Sequence, residues 1–132
     1  MNKDFGKIKE IKEVFDIDGM DGYKVTTDSK EIFVLIDGYQ SCCESWGYFS
    51  SDDDFEKFIG SQLISLDLTD KALNNIKVEE SDYYEDCGGI QFVNFTTSKG
   101  VLQLAVYNSH NGYYGHGILV KINEEVIFDD FL

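Results

Sequence analysis

Short stretches in which hydrophobic and polar residues alternate cover much of the chain. Ile64, Leu66 and Leu68 alternate with Ser65 and Asp67, and this spacing places the apolar side chains on one face of a β-strand. The residue pattern also predicts strands over residues 23–27, 32–37, 90–97, 101–107, 118–122 and 126–131. The chain is therefore predicted to be mainly β.

Two stretches depart from simple alternation. The uninterrupted apolar run at residues 32–36 predicts a central strand that is buried on both faces. In residues 7–17, Ile8, Ile11, Val14 and Phe15 fit one face of a helix, and a bulged strand would also accommodate them. The residue pattern alone leaves this first element open between helix and strand.

Turn signals separate the predicted strands. They are Asp18-Gly19, Asp21-Gly22, Asp28-Ser29-Lys30, Ser98-Lys99-Gly100, Asn111-Gly112 and Asn123-Glu124-Glu125. Strands joined by short turns pair antiparallel, because a parallel return needs a crossover of about a dozen residues or more. The prediction is one α+β domain over residues 1–132, mainly β. Its single curved antiparallel sheet would be a meander or a partly closed barrel, with one or two short helices.

One helix is predicted directly. Ser51 precedes three aspartates and the apolar Phe55, Phe58 and Ile59. A serine cap, carboxylates in the first turn and Gly60 as the stop are typical of a short helix. We therefore expect Ser51 to cap this helix.

The charge balance narrows the choice of partners. Eleven lysines and no arginine stand against 25 acidic residues, which gives a formal charge of −14. Arginine grips phosphate through paired hydrogen bonds, so this chain is poorly suited to nucleic acid, nucleotide phosphates or an anionic membrane. The expected partner is a basic protein surface, that of a nuclease or a nucleoprotein effector, with no direct contact to nucleic acid or membrane.

Cysteine usage and the N-terminal residues bear on location. The chain has three cysteines, Cys42, Cys43 and Cys87. An odd number argues against a closed disulfide framework and fits a reducing compartment. The first residues mix charged and apolar side chains, so neither a secretory signal nor a membrane span is expected. A cytoplasmic location is the expectation.

Cys42-Cys43-Glu44 is the most unusual tripeptide in the chain. Adjacent cysteines point in different directions in an extended chain, so they rarely serve one tetrahedral zinc ion. A cysteine nucleophile would need a lowered pKa, whereas negative surroundings raise the pKa of a thiol. We therefore expect a structural role, with the neighbouring Trp46 packing this segment into the sheet.

Two histidines complete the inventory of chemical groups. His110 and His116 could act as metal ligands or as a base only if a cysteine or a carboxylate folds against them. The expected arrangement is two loop histidines on a hairpin. No cofactor, metal ion or catalytic residue is predicted.

Two acidic clusters are the candidate partner-binding residues. The first is Asp52, Asp53 and Asp54, for which helix capping accounts in part. The second lies on a predicted loop and comprises Glu79, Glu80, Asp82, Tyr83, Tyr84, Glu85 and Asp86, to which Tyr113 and Tyr114 add aromatic area. Tyrosines among dense carboxylates are typical of a surface that binds a lysine- and arginine-rich partner. The alternative is a solvated surface that keeps the protein soluble.

Four motifs in order resemble the landmarks of a family of small uncharacterised proteins from bacteria and their phages. They are a Cys-Cys-Glu box at 42–44, an Ile-Gly-Ser step at 59–61, the segment Phe95-Thr96-Thr97-Ser98-Lys99-Gly100, and an Asn-Gly-Tyr-Tyr hairpin at 111–114. In that family the opening Gly-Lys-x-Ile segment is a strand, so the resemblance favours β for residues 7–17. It carries over no activity, and the structural motif residues are Cys42, Cys43, Glu44, Asn111 and Gly112.

Three classes of function follow. The leading one is a non-enzymatic acidic inhibitor, of anti-CRISPR or another anti-defence type, encoded by a phage or mobile element. It would occupy the basic nucleic-acid channel of a host protein. The alternative is an immunity protein that neutralises a nuclease toxin. A thiol- or metal-dependent enzyme is the weakest of the three.

Overall fold

A computed structural model describes residues 5–38, 45–81, 83, 89–109 and 116–132. The described strands are β1 (Ile8–Ile17), β2 (Met20–Thr27), β3 (Glu31–Asp37), β4 (Ser45–Ser50), β5 (Leu63–Thr69), β6 (Gly89–Thr97), β7 (Gly100–Ser109), β8 (Gly117–Ile122) and β9 (Glu125–Phe131). A 3₁₀ helix (Phe55–Phe58) and a helix α1 (Asn75–Glu80) complete the described elements. Every pairing between described strands is antiparallel.

The strands form two sheets. Sheet 1 has the order β1-β2-β3-β8-β9, and sheet 2 has the order β4-β7-β6-β5. The mainly β, antiparallel fold class is thereby confirmed, and the prediction of one continuous curved sheet is wrong. The division arises because the chain leaves sheet 1 after β3 and returns to it only at β8, which pairs with β3.

One core joins the two sheets. Ile32, Val34 and Ile36 of β3 share a single buried cluster with Leu102 and Leu104 of β7. Alternation in a strand sends the intervening Phe33 and Leu35 to the opposite face, where they pack in a smaller cluster with Val14. Both faces of β3 are therefore buried, as the apolar run at 32–36 predicts.

Turn chemistry is confirmed at four connections. Asp18-Gly19 closes the β1–β2 hairpin with φ angles of 54° and 81°, a left-handed pair that glycine and aspartate tolerate better than most residues. Asp28-Ser29-Lys30 joins β2 to β3, Ser98-Lys99 joins β6 to β7, and Asn123-Glu124 joins β8 to β9.

The first element is a strand. β1 pairs with β2, and its register shifts between Val14 and Ile17, where Asp16 has φ 53°. The strand that the family resemblance favours is confirmed, including its irregularity.

Four expectations fail. Asp21-Gly22 is not a turn, because both residues lie within β2 and pair with Ile36 and Leu35 of β3. The predicted hairpin between β7 and β8 does not form, because these two strands lie in different sheets. The turn predicted at Asn111-Gly112 lies outside the described residues. The short helix after Ser51 is present, but Asp54 caps it, because the Ser51 hydroxyl instead accepts a hydrogen bond from Gln103 N at 3.0 Å. Strand β4 and helix α1 have no counterpart among the predicted elements.

Candidate protein-binding surface

The two acidic stretches of the sequence lie beside each other. Lys77 in α1 forms a salt bridge with Asp53, and the Asn74 side-chain amide donates a hydrogen bond of 3.1 Å to the Ser51 carbonyl. Asn74 also caps α1 by accepting from Ile76 N. Residues 51–54 and the start of α1 are thus held together although more than twenty positions separate them in the chain.

Gln103 fastens the segment before α1 to sheet 2. This β7 side chain is only 3% exposed. Its carbonyl oxygen accepts from Leu73 N at 2.7 Å, and its amide nitrogen donates to the Lys71 carbonyl at 2.9 Å and to Asn94 Oδ1 at 2.8 Å. A buried amide with three partners fixes the position of the chain that leads into α1.

Two exposed apolar side chains lie just before α1 and within it, close in sequence to its carboxylates. Leu73 is 54% exposed and Ile76 is 65% exposed. Glu79 and Glu80 follow Ile76 by three and four positions, so they lie on the same side of the helix. We name Asp52, Asp53, Asp54, Leu73, Ile76, Glu79 and Glu80 the acidic helix surface.

The carboxylates of this surface differ in how far nearby lysines compensate them. The Lys57 ammonium, 2.6 Å from Asp52 Oδ2, together with the Asp54 N–H holds the pKa of Asp52 below its usual value, and Asp52 in turn raises the pKa of Lys57. Lys77 compensates Asp53. Within the described residues, Asp54, Glu79 and Glu80 form no salt bridge, so their charge faces solvent and is open to a basic partner.

A shallow groove of about 270 Å³ borders the acidic helix surface. Its walls include Tyr48 and Phe49 of β4, Tyr107 of β7, and Lys77 and Glu80 of α1. The ring of Tyr83 packs edge-on against Tyr107, with 6.0 Å between ring centroids. Aromatic walls beside a carboxylate suit the aliphatic stem and the charged head of a lysine or arginine side chain.

The groove is anchored to sheet 1 through Tyr48. Its hydroxyl donates a hydrogen bond to Glu13 of β1, and its ring packs edge-on against Tyr23 at 5.2 Å. Burial, followed by the Glu13 hydrogen bond, raises the pKa of Tyr48, and burial followed by the charge of Glu13 raises that of Tyr23. Both phenols stay protonated at neutral pH, and the Tyr48 hydroxyl serves as the donor to Glu13.

The predicted partner-binding residues are only partly brought together. Residues 51–54 contact α1 and its cap through Lys77 and Asn74. Glu79 and Glu80 end this helix instead of lying on a loop as predicted. Tyr83 is half-buried on Tyr107. The remaining predicted residues lie outside the described part of the chain: Asp82, Tyr84, Glu85, Asp86, Tyr113, Tyr114, Cys42, Cys43, Glu44, Asn111 and Gly112, together with His110 and Cys87.

His116 does not fit the prediction of a loop histidine on a hairpin. It is fully buried, its Nδ1 lies 2.8 Å from the Asp37 carbonyl, and its ring stacks on Trp46 with 5.4 Å between centroids. Trp46 belongs to β4 of sheet 2, whereas the Cys42-Cys43-Glu44 segment that it was expected to pack into the sheet lies outside the described residues. In the described part of the chain, no three His, Cys, Asp or Glu side chains gather as a metal site would require.

Sequence reasoning missed Gln103, Leu73 and Ile76. The two exposed apolar residues carry no periodic signal, because α1 has only six residues and none of them is buried. Gln103 occupies an outward position between the core residues Leu102 and Leu104. Gln103 could be recognised only by the burial of its long polar side chain, and burial cannot be read from the sequence.

The chain belongs to a family defined by a domain of unknown function, DUF7448, whose model matches residues 3–120. No curated protein and no solved structure matches it. The resemblance to a family without an established activity is thereby confirmed at the level of the family. No helix among the described residues is long and apolar enough to cross a membrane.

Proposed function

We propose that this protein is a non-enzymatic inhibitor whose acidic helix surface docks on a basic, nucleic-acid-binding surface of another protein. The supporting observation is that the Lys77–Asp53 salt bridge joins two acidic stretches that are separated in sequence, and that Leu73, just before α1, and Ile76, within it, are exposed. Carboxylates without lysine partners attract a basic surface, and the apolar side chains supply the area that excludes water.

We propose inhibition because the carboxylates favour a partner whose basic surface binds nucleic acid. A surface evolved for phosphate carries lysine and arginine at the spacing of a nucleic-acid backbone. Carboxylates on a protein with a net charge of −14 compete for the same side chains. A phage or mobile element that encodes such a chain would use it to block a host nuclease or nucleoprotein effector.

The test compares two double charge reversals. Glu79→Lys with Glu80→Lys changes the acidic helix surface, and Asp67→Lys with Asp70→Lys makes the same change of net charge at exposed positions on and just after β5 of sheet 2. Tagged wild type and both variants are used to capture host proteins. Each captured protein is then assayed for nucleic-acid binding at physiological ionic strength, with and without the inhibitor.

Wild type and the Asp67/Asp70 variant should displace nucleic acid from the same captured protein, and the Glu79/Glu80 variant should lose at least about tenfold in potency. Its association rate should fall most, because charges at the rim of an interface steer the encounter. Equal loss in both variants would mean that only net charge matters. Binding of the wild type itself to a short duplex in a gel-shift assay would exclude the proposal.

A further inference from the structure

Strand β9 has an open edge. It pairs with β8 on one side, and in the part of the chain that the structure describes no strand pairs with its other side. Leu132 exchanges both backbone hydrogen bonds with His116, at 2.9 and 3.0 Å. Alternation along an antiparallel strand then turns the N–H and C=O groups of Asp129 and Phe131 away from β8.

An apolar groove of about 430 Å³ lies beside this edge. Met20, Leu119 and Phe131 line it, and Phe131 is 76% exposed. Phe131 pairs with Gly117, where an added Cβ would lie 3.5 Å from the Phe131 ring and 3.1 Å from Asp37 Oδ2. The absence of a side chain at Gly117 therefore keeps this end of the groove open.

Carboxylates line the groove as well. Asp129 and Asp130 contribute to its walls, and neither forms a salt bridge within the described residues. Asp130 Oδ1 accepts the outward N–H of Phe131 at 2.8 Å. Lys24 and Lys121, on the same face, lie over the ring of Phe33 at 5.6 and 4.8 Å, and Lys24 also forms a salt bridge with Glu31. They leave the groove with a net negative lining.

The charges decide which kind of occupant fits. A second copy that paired antiparallel through β9 would bring Glu125, Asp129 and Asp130 close to the same acids of its partner, and like charges on neighbouring strands are destabilising. A cationic strand has the opposite sign. Its backbone can bond to the open edge, as in other complexes formed by strand addition.

We propose that the β9 edge and its groove form a second binding site, which takes an extended segment of a partner protein with alternating apolar and cationic side chains. The segment adds a strand to sheet 1. A lysine or arginine reaches across β9 so that its methylene stem lies on Phe131 and Leu119 and its head meets Asp129 or Asp130. The site shares no residue with the acidic helix surface.

The test uses a short, end-capped peptide in which leucine and lysine alternate. Fluorescence anisotropy measures its affinity, and amide hydrogen exchange measures protection in full-length protein. On saturation with the peptide, the amides of Asp129 and Phe131 should exchange at least about tenfold more slowly. A peptide with glutamate in place of lysine, and a lysine peptide N-methylated at alternate amides, should bind at least about tenfold more weakly.

Variants separate this site from general charge attraction. Asp129→Lys with Asp130→Lys should weaken the lysine peptide by at least about tenfold, whereas Asp67→Lys with Asp70→Lys should change its affinity less than about threefold. Phe131→Ala should weaken binding several-fold without a change in the melting temperature, because this ring is exposed.

Three outcomes would overturn the proposal. One is equal weakening by the two charge reversals, and another is protection confined to the amides of α1. The third is a dimer of the free protein in sedimentation with the Asp129 amide already protected, which would make a second copy the occupant. Hydrogen exchange on the wild type decides the matter even if a variant fails to fold. Failure of the Glu79/Glu80 test would leave these results unaffected.

Discussion

Replacing Gln103 with alanine should detach the segment that carries the acidic helix surface while leaving both sheets intact. The Gln103 side chain makes three hydrogen bonds, of 2.7 to 2.9 Å, to Leu73, Lys71 and Asn94. Two of these partners are backbone groups of the chain that leads into α1. No core residue is removed, because the side chain of Gln103 lies outside the cluster that joins the sheets.

The size of the effect follows from the hydrogen bonds. Each contributes about 0.5–1.5 kcal/mol net, so the three together contribute about 1.5–4.5 kcal/mol. Leu73 is half exposed, and water can replace part of what its N–H loses. We therefore expect Gln103→Ala to lower the free energy of unfolding by about 2–3 kcal/mol, which corresponds to a fall of about 10 °C in melting temperature.

Gln91→Ala is the matched control. Gln91 lies on β6 of the same sheet and donates hydrogen bonds to the Thr69 and Phe92 carbonyls, at 3.2 and 3.0 Å. Its loss should lower the free energy of unfolding by about 1 kcal/mol. Urea denaturation gives both values, and amide hydrogen exchange at Leu73 and Ser81 reports on the attachment of α1.

The variant should show faster exchange at Leu73 and Ser81 with unchanged exchange at the central strand β3. If Gln103→Ala is no more destabilising than Gln91→Ala, or if the Leu73 amide exchanges at the wild-type rate, then Gln103 does not hold the helix. The reasoning from buried hydrogen bonds would then be refuted.

Two further predictions concern titration and the core. The hydrogen bond from the Lys7 N–H, followed by the interaction with the Lys9 ammonium, holds the pKa of Asp28 below its usual value. The ionised carboxylate therefore stabilises the fold above about pH 4, and this stabilisation is lost as the pH falls through the lowered pKa. The gap in melting temperature between wild type and Asp28→Asn should therefore close in acid, and a gap that stays constant down to about pH 2 would contradict this assignment. His116→Ala removes a fully buried ring and should cost about 2–4 kcal/mol in urea denaturation. His116→Phe should cost less because it keeps the stack on Trp46. Equal loss in the two variants would mean that the stack contributes nothing and that the polar contacts of the ring account for the effect.

Strand positions were predictable because they depend on local spacing. β5, β6, β8 and β9 each contain a stretch that alternates or is largely apolar, and their bounds differ from the predicted ones by only a residue or two. The same pattern does not tell a strand which sheet to join. β3 pairs with β8 across more than eighty residues, and the alternation of β7 would suit either sheet equally well.

The short helix α1 escaped prediction for a related reason. A helix of six residues with no buried side chain has no amphipathic period, so its only local signal is the cap at Asn74. Its stability comes from groups distant in sequence, Gln103 and Asp53. Tertiary hydrogen bonds of this kind follow from the fold and cannot be deduced before it.

Net charge alone would have placed the binding surface wherever acids are dense in the sequence. The structure separates acids by their surroundings: Asp52 and Asp53 are paired with lysines, whereas Glu79, Glu80, Asp129 and Asp130 have no lysine partner within the described residues. Each uncompensated pair stands next to an exposed apolar residue, Ile76 in one case and Phe131 in the other. Charge sets the rate of encounter and apolar area sets the lifetime of a complex, so these two places are the ones that we propose as binding sites for a basic partner.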